Sequence, residues 1–129
     1  MSGPSVSLNP GLVLVVDDEF LIAQGLCLQV EDLDLAVCAT AATADDAVAL
    51  AQAHRPAIVL MDMRLRGEKD GVDAALAIHH TVGSKVIFIT GSREQATLDR
   101  IQLDHPAGVL FKPISERQLR NAIDAALAG

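Results

Sequence analysis

The sequence contains no tryptophan, no tyrosine and only three phenylalanines, and its first 54 residues contain neither lysine nor arginine. Those 54 residues carry eight acidic side chains, whereas the remainder has ten basic residues against nine acidic ones, so the first part accounts for the net charge of −7. Nucleic-acid binding relies on a basic surface and on aromatic side chains that stack with bases. The composition therefore argues against direct nucleic-acid binding.

Long hydrophobic runs are also absent, since every apolar run is far too short to cross a bilayer. The N-terminus has neither the basic start nor the apolar core of a signal peptide. We therefore expect a cytoplasmic protein that does not associate with a membrane. Cys27 and Cys38 fall in a predicted helix and a predicted strand, and we expect both to be buried, reduced thiols.

The length of 129 residues fits one domain. Residues 1–11 predict a flexible N-terminal lead-in, and residues 12–129 alternate short apolar runs with helical patterns. The predicted strands cover residues 12–17, 35–39, 57–61, 85–90 and 107–111, and the predicted helices cover 19–32, 44–54, 71–82, 93–104 and 116–128. This alternation predicts an α/β fold with a doubly wound, flavodoxin-like sheet of five parallel strands in the order 2-1-3-4-5.

Capping residues support three of the predicted helix starts. Thr43, Ser92 and Ser115 directly precede the second, fourth and fifth helices, and each is followed three residues later by a residue that can complete a capping box.

Polar side chains stand at the ends of four predicted strands. Asp17 and Asp18 follow the first strand, Asp62 follows the third, Thr90 closes the fourth and Lys112 follows the fifth. In an open parallel sheet, sites form at the edge where the carboxyl ends of the strands meet. The sequence therefore predicts three carboxylates, a hydroxyl and an ammonium group at one edge.

The chemistry of this set favours a metal ion and a phosphoryl group. Neighbouring carboxylates raise one another's pKa, and a divalent cation that prefers oxygen ligands, Mg²⁺ or Mn²⁺, relieves that repulsion. Asp62, alone at the end of an apolar strand, is a candidate nucleophile towards phosphorus. Lys112 and Thr90 are candidates for contacting the non-bridging phosphoryl oxygens.

Each residue also has a simpler interpretation when it is taken alone. Asp17 or Asp18 can cap the first helix, Lys112 can be a solvated surface lysine, and Thr90 can be an ordinary strand end. Pro113 restricts the backbone after Lys112 and makes their peptide bond a candidate for the cis form. The joint placement of these residues at one edge favours a shared site.

In the order and spacing of these site residues, the chain resembles a receiver domain of the two-component response regulator family, of the stand-alone, single-domain type. The matching segments are residues 15–19, 60–63, 89–91 and 111–113, and the resemblance covers residues 12–128. It implies that Asp62 accepts a phosphoryl group from a phosphohistidine on a sensor histidine kinase or a histidine phosphotransfer protein. It also implies an output through the protein surface to a downstream protein.

The resemblance implies roles for the other site residues as well. Asp17, Asp18 and Asp62 would bind Mg²⁺ together with the main-chain carbonyl of Arg64. Thr90 and Lys112 would contact the phosphoryl group, and Thr90 would be the switch residue.

The chain departs from the family pattern at Val109, where most receivers have an aromatic residue that turns inward as the threonine moves. A valine cannot make that movement, so the usual relay is in doubt. Phe111 is expected to lie on the wrong face of the strand to replace it. Residues 88–91 are also similar to a single-domain subgroup with a Phe-Ala-Thr-Gly motif, but Ser92 and Arg93 stand where that motif continues with an aromatic residue.

Other residues are candidates for tuning the lifetime of the phosphoryl group and for docking a partner protein. Arg64 and Ser92 each lie two residues beyond a site residue, and we expect them to affect the lifetime of the phosphoryl group. In the first helix, a stripe of Ile22, Leu26, Val30 and Leu33 is expected to face the core.

The apolar residues Phe20, Leu21 and Leu28 fall off that stripe, which indicates either a docking surface for a helical partner or shielding by loops. Near the other end of the fold, His79 and His80 close the predicted third helix and are expected to be solvated.

Three functions remain as alternatives. The leading one is a phospho-acceptor switch that assists its own phosphorylation and dephosphorylation but turns over no small-molecule substrate. The second is a Mg²⁺-dependent phosphohydrolase with an aspartyl-phosphate intermediate, and the third is a phosphorylation-independent binding module. A homodimer through the fourth helix, fifth strand and fifth helix remains open.

Overall fold

The structure, a computed structural model, describes residues 7–128, so residues 1–6 of the predicted lead-in lie outside the described residues. Five strands alternate with five helices. The strands are β1 (Asn9–Val16), β2 (Ala36–Ala41), β3 (Pro56–Met61), β4 (Lys85–Thr90) and β5 (Gly108–Phe111), and the helices are α1 (Phe20–Asp32), α2 (Ala44–His54), α3 (Gly71–Thr81), α4 (Gln95–Gln102) and α5 (Glu116–Ala128).

The strands form one parallel sheet in the order β2-β1-β3-β4-β5, which confirms the predicted fold. Helices α1 and α5 pack on one face of the sheet, and α2, α3 and α4 pack on the other. All six residues of the central strand β3 are buried, because helices cover both of its faces. Ile58 and Leu60 point to the α1/α5 side, whereas Val59 and Met61 point to the α2/α3/α4 side.

The starts of the first strand and of the fourth helix differ from their predicted positions by two or three residues. Strand β1 begins at Asn9, so residues 9–11 belong to a strand and not to the predicted lead-in. Helix α4 begins at Gln95, two residues after its predicted start, and Glu94 occupies its N-cap position. The hydroxyl of Ser92 accepts a hydrogen bond from the Glu94 amide at 3.2 Å, so this residue forms a turn before the helix and does not cap it.

The other two predicted caps are present. Thr43 accepts a hydrogen bond from the Asp46 amide at 3.1 Å. Ser115 and Gln118 exchange two hydrogen bonds, of 2.9 and 3.1 Å, in a complete capping box.

Two predictions of burial were wrong. Ile22 is 37% exposed, and Ala23 takes its place among the core residues of α1. Cys27 and Cys38 are free thiols as predicted, but both are only partly buried. Among residues 7–128, no helix has the length and apolar character needed to cross a bilayer.

Candidate functional site

Main-chain hydrogen bonds hold the predicted site residues at the carboxyl end of the sheet. The amide of Asp17 donates to Ala41 at 3.0 Å, that of Asp62 donates to Val16 at 2.9 Å, and that of Lys112 donates to Thr90 at 2.8 Å. These bonds extend the strand ladders by one residue, so each side chain leaves the sheet from a rigid position. The Lys112–Pro113 peptide bond is cis, as predicted.

Lys112 bridges two of the carboxylates. Its Nζ lies 3.0 Å from Asp17 Oδ2 and 3.4 Å from Asp62 Oδ1. Both aspartates are buried, with 4% and 8% of their surfaces exposed, so the ion pairs lie where water screens them weakly. The simpler interpretation of Lys112 as a solvated surface lysine is therefore excluded.

Asp17 also forms a turn just before α1. Its Oδ1 accepts a hydrogen bond from the Glu19 amide at 2.9 Å, while its Oδ2 contacts Lys112. Glu19 occupies the N-cap position of α1, and within the described residues no side-chain hydrogen bond caps this helix. The interpretation of Asp17 as a helix cap is therefore wrong, and its contact with Lys112 supports the shared site.

The electrostatics of Asp62 are those of a partly desolvated anion near other anions. Burial, followed by the neighbouring charge of Asp17, raises the pKa of Asp62 to about 6, although Lys112 opposes the shift. Burial alone would lower the pKa of Lys112, but the hydrogen bond from Lys112 to Asp17 and the charge of Asp62 outweigh it and raise that pKa. The proton of Lys112 is thus retained between the two carboxylates.

The three aspartates form a candidate metal centre. Asp17, Asp18 and Asp62 each place a carboxylate oxygen within 4.8 Å of the other two. A set of hard oxygen donors with excess negative charge suits Mg²⁺, which is commonly held by one or two carboxylates together with water and phosphate. Burial raises the pKa of Asp62, and the charges of Asp17 and, to a smaller extent, Asp18 add to that rise. A bound cation would offset the part that these charges contribute.

Thr90 is buried at the end of β4 and faces the same cleft. Its Oγ1 accepts a hydrogen bond from the Ser92 amide at 3.1 Å, which ties the threonine to the loop before α4. Asp62, Lys112, Arg64 and Ser92 line this cleft as well. The structure therefore brings the predicted acceptor and tuning residues together.

Gly71 is a site residue that the sequence analysis missed. A Cβ atom at this first position of α3 would collide with the main-chain carbonyl of Asp62, and the Gly71 amide donates to Met63 at 2.8 Å. Only glycine allows the helix to begin this close to the acceptor loop.

A clamp of charged residues behind that loop was also missed. Asp70 and Asp73 form the capping box of α3, and Arg100 of α4 contacts Asp70 at 2.6 and 3.0 Å and Asp73 at 3.0 Å. The spacing of Asp70 and Asp73 before an apolar run is a capping signal that could have been read from the sequence. The partner Arg100, about thirty residues away, could not.

Val109 and Phe111 lie on one face of β5. Val109 packs against the α2/α3/α4 core, while Leu110 packs on the opposite side of the sheet. Alternate residues of a strand share a face, so the expectation that Phe111 lies on the other face was wrong. The Phe111 ring instead contacts the Arg93 guanidinium, whose Cζ is 4.1 Å from the ring centroid.

The predicted docking residues of α1 are exposed. Phe20, Leu21 and Leu28 have exposed fractions of 71%, 81% and 64%, so loops do not shield them. Leu21 also borders an apolar groove between α1 and the loop after β5, where Pro113 and Ile114 form the far side.

Comparison with known proteins identifies a matching family. The model for the response regulator receiver domain matches residues 13–124. The phyllosphere-induced regulator PhyR of Methylorubrum extorquens is 33% identical over 116 residues, which cover 89% of this chain and 43% of PhyR. The transcriptional regulatory protein PdtaR of Mycobacterium tuberculosis is 28% identical, with 99% of this chain and 63% of PdtaR aligned. This chain thus spans less than two thirds of either relative.

Solved structures agree with the family match. The signal receiver domain of a modulated diguanylate cyclase from Desulfovibrio desulfuricans G20 has a TM-score of 0.86 and 34% identity, covering 91% of this chain and 93% of that domain. A two-component response regulator of the LuxR family from Aurantimonas sp. SI85-9A1 has a TM-score of 0.83 and 29% identity, covering 92% and 85%. Both are similar to this chain over nearly all of its fold.

Proposed function

The chain belongs to the response regulator receiver domain family, and from this premise we propose that Asp62 is the residue that accepts the phosphoryl group in two-component signalling. The observation that carries the assignment is the position of its carboxylate, which is buried at the carboxyl end of β3 and lies 3.4 Å from Lys112 Nζ. Family membership does not favour the phosphohydrolase or the phosphorylation-independent module.

The transfer is a displacement at phosphorus. A carboxylate oxygen of Asp62 forms the new O–P bond while the P–N bond to the donor histidine breaks, and the donor imidazole leaves with the electron pair. The Lys112 ammonium would stabilise the negative charge that develops on the phosphoryl oxygens, and the Thr90 hydroxyl would donate a hydrogen bond to one of them.

Asp17, Asp18 and Asp62 would hold Mg²⁺ or Mn²⁺, with the main-chain carbonyl of Arg64 as a further ligand. When bound there, such a cation would neutralise the charge of the carboxylates and of the incoming phosphoryl oxygens. The fit rests on three oxygen donors that come within 4.8 Å of one another.

The other assignments concern tuning and switching. Arg64 and Ser92 border the cleft and would set the lifetime of the acyl phosphate. Thr90 would act as the switch residue, and Val109 would follow it without the rotation that an aromatic residue makes.

The partners follow from the family and from the exposed face of α1. A sensor histidine kinase or a histidine phosphotransfer protein is the phosphoryl donor, and it docks on the surface of Phe20, Leu21 and Leu28. This exchange takes place in the cytoplasm. A downstream protein, or a second copy of the chain, reads the phosphorylated surface, and the domain turns over no small-molecule substrate.

The test is phosphorylation by a small donor. The purified protein is incubated with Mg²⁺ and acetyl phosphate, and its intact mass is measured alongside the variants Asp62→Asn and Asp124→Asn. We expect the parent and Asp124→Asn to gain one phosphoryl group and Asp62→Asn to gain none. Asp124 is the matched control because it is an exposed carboxylate of α5 outside the cleft.

The other outcomes separate the alternatives. An adduct that persists in Asp62→Asn would assign the acceptor to another residue. Continuous hydrolysis of small phosphomonoesters would support the phosphohydrolase, and the absence of any adduct would support the binding module.

A further inference from the structure

Arg93 borders both the acceptor cleft and the surface of β5. Its side chain is among those that line the cleft with Asp62 and Lys112. Its guanidinium also lies over the Phe111 ring, with 4.1 Å between Cζ and the ring centroid. Phe111 immediately precedes Lys112 and is in register with Thr90 across the β4–β5 ladder. Arg93 therefore lies beside both the cleft that contains Asp62 and a partly buried ring.

The loop that carries Arg93 is tied to Thr90. The Thr90 hydroxyl accepts a hydrogen bond from the Ser92 amide, and the Ser92 hydroxyl accepts one from the Glu94 amide. The Ser92 hydroxyl also lies 3.3 Å from that of Thr97 in α4. These hydrogen bonds connect Thr90 to the start of α4 through Ser92, the residue that directly precedes Arg93.

The contact between Arg93 and Phe111 is of a kind that a phosphoryl group can displace. A cation held over an aromatic ring at an exposed site is weakly bound, whereas an arginine paired with phosphate makes charge-assisted, often bidentate hydrogen bonds. A phosphoryl group brings nearly two negative charges and three acceptor oxygens, and it extends from Asp62 further into the cleft than the carboxylate does.

The other basic residues of the cleft are less suited than Arg93 to move from Phe111 to the phosphoryl oxygens. Lys112 already contacts Asp17 and Asp62 at the floor of the site. Arg64, the remaining arginine that lines the cleft, follows β3 and is not the residue over Phe111.

We propose that Arg93 is a positioning residue of the switch, which leaves the Phe111 ring for the phosphoryl oxygens when Asp62 is modified. Phosphorylation thereby uncovers the face of Phe111 beside the loop that leads into α4. The arginine moves while the aromatic residue stays in place, so the mechanism does not need an aromatic side chain at Val109. This inference rests on the proposed function, since it requires Asp62 to be the acceptor.

The amino-acid composition makes the test direct. The chain has three phenylalanines and no other aromatic residues apart from histidine, so protein labelled with 4-fluorophenylalanine gives three ¹⁹F resonances, and Phe111→Leu assigns one of them to Phe111. Spectra are recorded before and after treatment with Mg²⁺ and acetyl phosphate, and the intact mass of the same sample is measured. The variants are Arg93→Ala and, as the matched control, Arg66→Ala, because Arg66 is an exposed arginine that does not line the cleft.

We expect the Phe111 resonance of the parent to shift on phosphorylation towards its position in unmodified Arg93→Ala. In Arg93→Ala the phosphorylation-dependent shift should be lost, while in Arg66→Ala it should be retained. Unchanged resonances of the buried Phe88 and of Phe20 in unmodified Arg93→Ala show that the variant is folded.

Three results would overturn the proposal. The first is an unchanged Phe111 resonance in a parent sample whose mass shows the phosphoryl group, which leaves the acceptor assignment intact. The second is an equal shift in parent and Arg93→Ala. The third is loss of the shift in Arg66→Ala, which would show that the Phe111 resonance responds to the total charge of the protein and not to Arg93. A sample that gains no phosphoryl mass contradicts the proposed function, and this inference with it.

Discussion

The environment of Asp62 favours its protonated form, whereas its proposed reaction requires the ionised form. Burial and Asp17 raise its pKa to about 6, whereas nucleophilic attack on phosphorus requires the ionised form. Lys112, 3.4 Å away, favours that form. The Asp62 carboxylate therefore ionises at a higher pH than an ordinary aspartate, and a cation bound beside it would favour the ionised form that the proposed reaction needs.

Arg64 provides a prediction at the level of one side chain. It is exposed, lines the cleft and follows Asp62 by two residues, so its guanidinium can contact phosphoryl oxygens and keep water from the acyl phosphate. We expect Arg64→Ala to raise the dephosphorylation rate roughly fivefold, which corresponds to about 1 kcal/mol in the barrier. The measurement is the decay of the phosphorylated mass after the donor is removed.

The matched control is Arg66→Ala, because Arg66 is also exposed but does not line the cleft. Decay of this variant should match the parent. Identical rates for Arg64→Ala and the parent would show that the side chain has no influence on the lifetime.

At the level of elements, α1 has two apolar faces with different roles. Ala23, Leu26 and Val30 pack on the sheet, while Phe20, Leu21 and Leu28 face outward. The helix begins next to the carboxylates of the site, since the Glu19 amide at its N-cap donates to Asp17. A partner on the outward face is therefore close to the acceptor.

Replacement of Leu21 by serine tests that docking face. We expect the specificity constant for transfer from a phosphorylated histidine protein to fall about tenfold, since a contact of about 1.4 kcal/mol is lost. Phosphorylation by acetyl phosphate should be unchanged, because the small donor needs no docking surface. Kinases of the source organism that phosphorylate the parent are the donors for the comparison.

Leu103→Ser is the control for surface hydrophobicity, because Leu103 is 60% exposed and follows α4. It should transfer like the parent. Equal losses with the protein donor and with acetyl phosphate would instead place the effect of Leu21→Ser in the acceptor site.

Most element positions could be predicted because aliphatic runs and capping residues report directly on local structure. The start of α4 could not be, because the hydroxyl of Ser92 can satisfy either a helix cap or a turn, and contacts with Thr90 and Thr97 favour the turn. In α1 the periodicity allowed either Ile22 or Ala23 to face the core, and tertiary packing selected the smaller residue.

Contacts between distant side chains were the least predictable. His79 was expected to be solvated, but its Nδ1 lies 2.7 Å from the buried carboxylate of Asp104, which follows α4. Arg100 and Asp70 are likewise joined across two helices. The placement of the candidate site residues was predictable for the opposite reason: in a parallel sheet, the strand order alone brings Asp17, Asp62 and Lys112 to one edge.

At the scale of the whole molecule, the site reduces the stability of the fold. The folded state binds the proton of Asp62 more tightly than the unfolded chain, because the pKa rises from 3.8 to about 6. For this group the contribution to stability is therefore greatest below pH 3.8 and is lost as the pH rises through about 6. The full shift corresponds to a loss on the order of 3 kcal/mol at neutral pH.

The prediction compares the metal-free parent with Asp62→Asn, which cannot ionise. The free energy of unfolding of the parent, relative to the variant, should fall by on the order of 2–3 kcal/mol between about pH 4 and pH 7. Urea unfolding followed by circular dichroism measures it, since the chain has no tryptophan for fluorescence. At pH 7 Mg²⁺ should stabilise the parent far more than the variant, because a cation that binds only the folded state offsets the repulsion among the carboxylates.

The free energy of unfolding should depend on pH and on Mg²⁺ in a linked way, because both effects arise from the negative charge of Asp62. Mg²⁺ competes with the proton of Asp62, so its stabilising effect should weaken as the pH falls below about 6. A stability difference between parent and Asp62→Asn that stays constant from pH 4 to pH 7 would contradict the raised pKa. Equal stabilisation of the two proteins by Mg²⁺ would place the cation elsewhere than at Asp62, and the metal centre and the acceptor would then be separate sites.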